Sequence, residues 1–307
     1  MIDLGAAEAA ARRSVRIGAL FALSGATAYG INIVGARLCA QLGITGSDIV
    51  VYRGLMFLPL LIGIALATGR RLTLTDGERP TVLRFALAGA GTALCYMSSL
   101  RYLSVPLAVT IFYTYPLFVI VLTPYVDRVR LPLRRWLVAL IAFAGVLLAI
   151  GPHAEALDPR GVALALAGSL CSAGMFLSGS RLTTDSLVTV FWCQLVALPL
   201  GLAFAYAGGG LSEPAALVGA ALPFAVAVGG YFLGFLFQVL AAARISAATS
   251  SLLFLFEPVV AIAAAALALK EHIGPVQALG MVLVIGALAA DTLPALRRSQ
   301  ASPATGP

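Results

Sequence analysis

The chain has 307 residues, of which 61% are hydrophobic and 11% charged, and its mean hydropathy is +1.00. An ordinary soluble domain carries about 25% charged residues, so this composition excludes a soluble globular protein and indicates a polytopic membrane protein. The net charge of +7 is best interpreted loop by loop in such a protein and does not indicate nucleic-acid binding.

Charged residues, prolines and glycines divide the chain into ten apolar segments. Each is close to the roughly 20 residues that a helix needs to span the hydrocarbon core, where lipid offers the backbone no hydrogen-bond partner. The predicted fold class is therefore an all-α membrane protein with ten transmembrane helices. The segments lie at about 17–37, 48–68, 82–100, 105–124, 135–151, 161–180, 187–207, 216–240, 247–268 and 275–292.

The basic residues predict the orientation. With a cytoplasmic N-terminus, fifteen of the twenty Lys and Arg residues fall on the cytoplasmic side, as the positive-inside rule requires. The first twenty residues do not have the pattern of a secretory signal. We expect a multi-pass protein of the inner (plasma) membrane with both termini in the cytoplasm.

An internal repeat relates the two halves of the chain. Residues 16–151 match residues 160–291 in order, and the fourth and ninth segments align without a gap, which pairs Ser104 with Ser246. Each half has five spans, an odd number, so the second half is expected to be inverted relative to the first. The predicted division is a cytoplasmic tail over 1–15, repeat one over 16–152, an inverted repeat two over 160–292, and a cytoplasmic tail over 293–307.

The ninth segment contains an acid, Glu257, directly before Pro258. It lies about ten residues from either end of the segment, too far for its short side chain to reach the interface. One interpretation is a site that exchanges a proton or pairs with a substrate; the other is that Glu257 only satisfies polar groups freed by a kink at the proline. The repeat counterpart Tyr115-Pro116 keeps the proline without the acid. The predicted kink positions are Pro59, Pro116, Pro199 and Pro258.

A basic residue, Arg53, stands about five residues inside the second segment. Its long side chain can extend to the outer interface, pair with Glu257, or anchor a carboxylate or phosphate at the mouth of a cavity. Other polar and aromatic residues within the spans are expected to line a cavity, because a hydroxyl or amide facing lipid is unsatisfied. These candidates are Tyr29, Asn32, Tyr96, Tyr113, Tyr115, Trp192, Gln194, Tyr231 and Gln238.

The four cysteines have no paired spacing, and the only histidines are His153 and His272. Neither a disulfide framework nor a metal site is predicted, and no cofactor is expected. An intramembrane enzyme needs a nucleophile with a base, paired carboxylates or metal ligands at membrane depth, and the spans offer one deep acid. We therefore expect no enzymatic activity.

Two stretches carry a family resemblance: "LRYLSVPLAVTIFYTYPLFVIVLT" and "FLFEPVVAIAAAALALKEHIGPVQALG". Over residues 16–292 the chain resembles the EamA-type ten-helix permeases of the drug/metabolite transporter superfamily. Phe256-Glu257-Pro258, Glu271 and Arg53 match family motifs, whereas "YVDRVR" departs from the family's Gly-Glu pair, with Asp127 a loose substitute. The resemblance implies secondary transport, mostly export, through a cavity lined by helices one to four and six to nine, with helices five and ten peripheral.

The leading hypothesis is a permease that exports a small organic metabolite, such as an amino acid, by alternating access, with protons as the candidate coupling ion. The alternatives are a permease for cationic drugs or nucleotide precursors, and a non-transporting receptor or assembly subunit. The expected partners are a small-molecule solute, the lipid bilayer and protons, and the expected assembly is a monomer or weak homodimer.

Overall fold

The computed structural model describes residues 4–151, 157–207 and 209–298, and this part of the chain forms helices and no strand. In chain order the helices are α1 (Leu4–Gln41), α2 (Gly46–Ala67), α3 (Arg79–Ser99), α4 (Val105–Phe112), α5 (Tyr115–Val126), α6 (Leu133–Ile150), α7 (Pro159–Gly179), α8 (Ser186–Ala207), α9 (Pro214–Gly219), α10 (Ala221–Ala242), α11 (Ala247–Leu253), α12 (Phe256–Leu269) and α13 (Pro275–Arg298). The all-α prediction is confirmed.

The predicted spans correspond to these helices, with α4–α5 and α11–α12 each forming one interrupted span. Within the described ranges, nine spans are long and apolar enough to cross a membrane. The tenth, α3, has 21 residues and is less apolar. Helix α1 begins at Leu4 and α13 ends at Arg298, so both continue into the residues predicted as tails.

The packing of the helices follows the internal repeat. The first helix of each half packs mainly on the third span of the other half, α1 on α10 and α7 on α3. The two second spans, α2 and α8, pack on each other, and so do the two fifth spans, α6 and α13. Gly145 and Gly280 let the backbones of α6 and α13 touch. Each half therefore packs mainly against the other, and α6 and α13 join the remaining helices through contacts with α12.

The fourth and ninth spans are interrupted at equivalent positions. Helix α4 begins after Ser104 and α11 begins after Ser246, with almost identical cap dihedrals (φ −62°, ψ 153° and φ −63°, ψ 154°). Each span is interrupted for two residues and then restarts, at Tyr115 and at Phe256. Pro116 and Pro258 occupy the first turn of the restarted helix, where a missing N–H costs no hydrogen bond.

Pro59 and Pro199 occupy a different setting. They lie inside α2 and α8, and both helices continue past them.

Because the ten spans alternate in direction, the described N- and C-terminal ends reach the same side of the bundle. We call this side the terminal face and the other side the opposite face.

Candidate functional site

Glu257 lies in the first turn of α12, at the interruption of the ninth span, and is half-buried. The hydroxyl of Tyr113 donates a hydrogen bond to its carboxylate. Three further tyrosines, Tyr29, Tyr96 and Tyr115, lie near the same carboxylate. We call these four residues the tyrosine cluster. They come from α1, α3 and the α4–α5 interruption, all in the first half, whereas Glu257 belongs to the second.

Aromatic packing holds the tyrosine cluster in place. Tyr115 stacks on Phe176 of α7 with ring centroids 5.2 Å apart and ring planes within 2° of parallel. Tyr96 packs against Phe112 at 5.2 Å, and Tyr29 against Phe254 at 5.9 Å. Such pairs contribute about 0.5–1.5 kcal/mol beyond their buried area, so the rings are fixed by their neighbours before any ligand arrives.

A glycine brings α1 against the backbone that carries Glu257. A Cβ atom added at Gly30 would lie 2.9 Å from the carbonyl oxygen of Glu257 and 2.7 Å from Cβ of Val260. Only a residue without a side chain permits this approach. Tyr29, the preceding residue, is thereby held beside the carboxylate.

Arg53 is 5% exposed and lies in α2, about 10 Å along the helix from its first residue. Its guanidinium carbon stands 3.3 Å from the centroid of the Tyr231 ring, a cation–π contact. Its Nε atom is buried and has no hydrogen-bond partner. Among the described residues no carboxylate lies within ion-pair distance, so Arg53 neither reaches the surface of the bundle nor pairs with Glu257.

A cavity of about 60 Å³ surrounds Arg53 between α2, α3, α8 and α10. Its polar lining includes Arg53, Gln194 and Tyr231, while side chains such as Phe85 and Phe235 make the rest apolar. The cavity extends toward the opposite face, where the ends of α2, α3 and α8 line it. In this conformation the space accommodates a few water molecules.

Tyr29 links the cavity to the tyrosine cluster. Its hydroxyl donates a 2.9 Å hydrogen bond to Oε1 of Gln238, and its ring meets that of Tyr231 edge-on at 5.6 Å. Gly234 of α10 leaves room for this ring. The acid with its tyrosines and the arginine with its cavity are therefore two neighbouring parts of one interior region, with Tyr29 between them.

Comparisons with known proteins agree with this architecture. A model of the EamA-like transporter family matches residues 16–151 and again residues 159–290, which is most of the chain. The chain belongs to the EamA-like transporter family. A solved protein crystal structure aligns with this EamA-like chain at a TM-score of 0.75 and 17% identity, covering 92% of this chain and 98% of that one, which shows a shared fold. None of the curated proteins matches the chain.

Three of the predicted site residues in this EamA-like chain lie outside both the cavity and the tyrosine cluster: Gln238, which accepts from Tyr29, and the two residues Asn32 and Trp192. The amide nitrogen of Asn32 donates to the carbonyl oxygen of Ala227, which ties α1 to α10. The indole nitrogen of Trp192 donates a 2.9 Å hydrogen bond to the carbonyl oxygen of Leu72, in the α2–α3 connection. Both polar atoms are used to join elements of the bundle.

One buried acid was not identified from the sequence of this family member. Asp48 is fully buried at the start of α2 and accepts hydrogen bonds from Thr45 and from the backbone N–H and hydroxyl of Ser212. The signal was present, because Thr45 and Asp48 have the Thr-x-x-Asp spacing of a capping box. The partner Ser212 is 164 positions away in the chain, and no sequence pattern connects it with Asp48. Asp48 fastens the α8–α9 connection to the first half.

The described residues contain no group of three or more potential metal ligands. His272 lies in the α12–α13 connection, and His153 lies outside the described residues. All four cysteines are free thiols.

Proposed function

We propose that the protein is a secondary transporter that exports a small organic metabolite by alternating access, with protons as the coupling ion. One observation carries the proposal: the only half-buried acid at mid-membrane depth in the described residues, Glu257, meets four tyrosines from the opposite, inverted half. A site assembled from both halves changes when the halves move relative to each other. Inverted-repeat transporters use this arrangement.

Glu257 is suited to carry the coupling proton. A charged carboxylate inside a bilayer is costly, and protonation removes its charge. Its hydrogen-bond partner among the described residues, Tyr113, belongs to the other half, so a movement that separates the halves changes the stability of the charged form. Uptake of a proton on one side and its release on the other then accompany the movement.

Two ion pairs support alternating access. On the opposite face, Arg37 at the end of α1 pairs with Glu271 after α12 at 2.7 Å. On the terminal face, Arg181 after α7 pairs with Asp127 after α5 at 2.9 Å. Each pair joins one half to the other, and the repeat relates Arg37 to Arg181. Opening of either face separates one pair, and both pairs are formed in this structure.

The distribution of basic residues supports a cytoplasmic terminal face. The connections on that face contain most of the arginines, whereas the opposite face has Arg37, Arg101, Arg160 and Lys270. Under the proposal, residues 1–15 and 293–307 lie in the cytoplasm, the protein resides in the inner (plasma) membrane, and solute leaves at the opposite face.

The test is transport by the purified full-length protein in liposomes. Amino acids, nucleosides and cationic dyes are screened for counterflow. For a transported solute, Glu257→Gln is expected to abolish accumulation driven by a pH gradient while counterflow remains. Glu213→Gln, the same change at an exposed acid directly before α9, is the matched control and is expected to keep gradient-driven accumulation. Unchanged pH dependence in Glu257→Gln removes Glu257 from coupling. Absence of all flux in folded protein contradicts the transport proposal itself.

A further inference from the structure

The positive charge of Arg53 has no anionic partner among the residues that the structure describes. The side chain is 5% exposed, and removal of a guanidinium from water is costly unless a counter-charge or hydrogen bonds replace the water. No ion pair or hydrogen bond joins it to the described residues, and its Nε–H is buried and unsatisfied. Two acids within the spans are engaged with other groups, Asp48 with Thr45 and Ser212, and Glu257 with Tyr113.

The ring of Tyr231 orients the guanidinium and leaves its N–H groups free. A cation–π contact uses the face of the guanidinium, 3.3 Å above the ring centroid, and so does not occupy the N–H donors at its edge. Tyr231 is itself stacked on Phe235 at 5.9 Å with planes 8° apart. The fork of N–H donors is therefore held in one orientation, and a planar carboxylate is the group that this fork binds through two parallel hydrogen bonds.

The rest of the cavity indicates the body of the ligand. Beside Arg53 the lining offers the Gln194 amide, which forms no hydrogen bond with the described residues. Toward the opposite face the lining is apolar, with Leu94, Met97 and Phe204 among its members. One cation with one amide suits a single negative charge better than a phosphate dianion, which needs more donors.

We propose that Arg53 binds the carboxylate of the transported solute, and that this solute is an organic monocarboxylate with an apolar or aromatic body. The carboxylate enters the space of about 60 Å³ at the arginine, and the body extends along the apolar wall toward the opposite face. The proposal rests on the proposed transport function and adds the chemical class of its substrate. It makes Arg53 the residue that discriminates acids from neutral and cationic analogues.

The experiment measures ligand binding to the full-length protein in detergent, without any requirement for flux. Four probes share one aromatic body: 3-phenylpropanoate, its amide, 2-phenylethylamine and phenyl phosphate. The acid is expected to bind about tenfold to a hundredfold more tightly than the amide, the range for hydrogen bonds to a charged group. In Arg53→Gln this preference is expected to disappear. Arg53→Lys keeps the charge without the planar fork, so it should keep a reduced preference.

Arg244→Gln is the matched control. Arg244 also makes a cation–π contact, 5.1 Å from the ring of Phe21, but its guanidinium donates to the carbonyl oxygen of Leu240 and does not line the cavity. Its removal should leave the preference for the acid unchanged. If Arg53→Gln does not fold, the probe series on the wild-type chain and Arg53→Lys still decide the matter.

Several outcomes overturn the proposal. Retention of the full preference for the acid in Arg53→Gln excludes Arg53 as its source. Tighter binding of phenyl phosphate assigns the site to phosphate monoesters, and binding of the amine alone assigns the interior to cations. Absence of binding by all four probes also counts against it. None of these binding results contradicts the proposal that Glu257 couples transport to a pH gradient. Conversely, a protein that binds the acid but transports nothing contradicts the transport proposal and not the role of Arg53 in binding.

Discussion

The interruptions of the fourth and ninth spans have the same backbone and different chemistry. Both spans begin at a serine cap, stop after about two turns and restart with a proline in the first turn. At the equivalent position of the restarted helix the first half carries Tyr115, stacked on Phe176, and the second carries Glu257, beside four tyrosines. The proline therefore accounts for the shared shape, and the acid is a separate feature of one half.

The comparison extends to three more matched pairs. Gly30 and Gly174 are equivalent, yet only Gly30 is in tight contact with another helix. Ser104 and Ser246 are equivalent caps, yet only Ser246 accepts a hydrogen bond. After the ninth and fourth spans, Lys270 and Arg128 both adopt positive φ values, 56° and 55°, next to the acids of the two ion pairs. The repeat conserves the backbone, while each half uses its side chains differently.

The largest difference in stability is expected between the two glycines. Gly30→Ala places a methyl group 2.9 Å from the carbonyl oxygen of Glu257, which the helices can relieve only by moving apart. We expect a loss of about 1–3 kcal/mol in the free energy of unfolding. In Gly174→Ala the nearest atom lies 3.9 Å away, an ordinary contact, so stability should not fall. Thermal unfolding of the detergent-solubilised variants measures both.

The same pair also tests the functional comparison. Because α1 touches the residue that bears the carboxylate, Gly30→Ala should lower gradient-driven transport more than Gly174→Ala does. Equal melting temperatures and equal transport in the two variants would contradict the asymmetry between the halves.

A smaller difference is expected between the two serine caps. The Ser246 hydroxyl accepts from the N–H of Thr249 at 3.3 Å, so Ser246→Ala should lower the free energy of unfolding by about 1 kcal/mol. The Ser104 hydroxyl is buried without a partner, so Ser104→Ala should leave stability unchanged or raise it. Chemical unfolding followed by circular dichroism compares them. A larger loss in Ser104→Ala than in Ser246→Ala would show that the two caps have been assigned the wrong way round.

The smallest expected effects concern the two ion pairs, whose side chains are 27–52% exposed. Exposed pairs contribute about 0.2–1 kcal/mol, which corresponds to a change of about fivefold or less in a conformational equilibrium. Arg37→Gln should favour opening of the opposite face and Arg181→Gln opening of the terminal face. The measurement is the rate at which an impermeant thiol reagent labels Ser47→Cys, at the cavity mouth, in a chain without the native cysteines. Arg37→Gln should speed labelling and Arg181→Gln should slow it. Shifts in the same direction in both variants would show that the two ion pairs do not control opposite faces.

Much of the fold was predictable because its signals are local. A run of apolar residues determines that a segment spans lipid whatever its neighbours are, so each predicted span corresponds to a helix or an interrupted pair of helices, while α1 and α13 extend beyond the predicted bounds. Helix α3 shows the limit of that rule, since it spans with fewer apolar residues while packed against α7. The inversion of the second half followed from the count of five spans per repeat.

The candidate site was predictable only in part. The sequence singled out Glu257 and Arg53, because a charge inside an apolar run is conspicuous. It left open whether they pair, and it grouped Asn32 and Trp192 with the residues expected to line a cavity. Asp48 escaped notice because it stands at a helix start, where an acid is ordinary. The partners of all these groups lie on other helices, many positions away in the chain.

The sequence by itself determined the ten spans, their two inverted sets and the presence of one acid and one arginine at membrane depth. Hydropathy and repetition are properties of the chain in order, and they need no knowledge of contacts. Only the tertiary structure decided that four tyrosines lie near Glu257 and that Arg53 stands over the Tyr231 ring without an ion-pair partner among the described residues. The partner of a polar group depends on which helix face lies against which, and the packing of α1 on α10 and of α7 on α3 sets those faces.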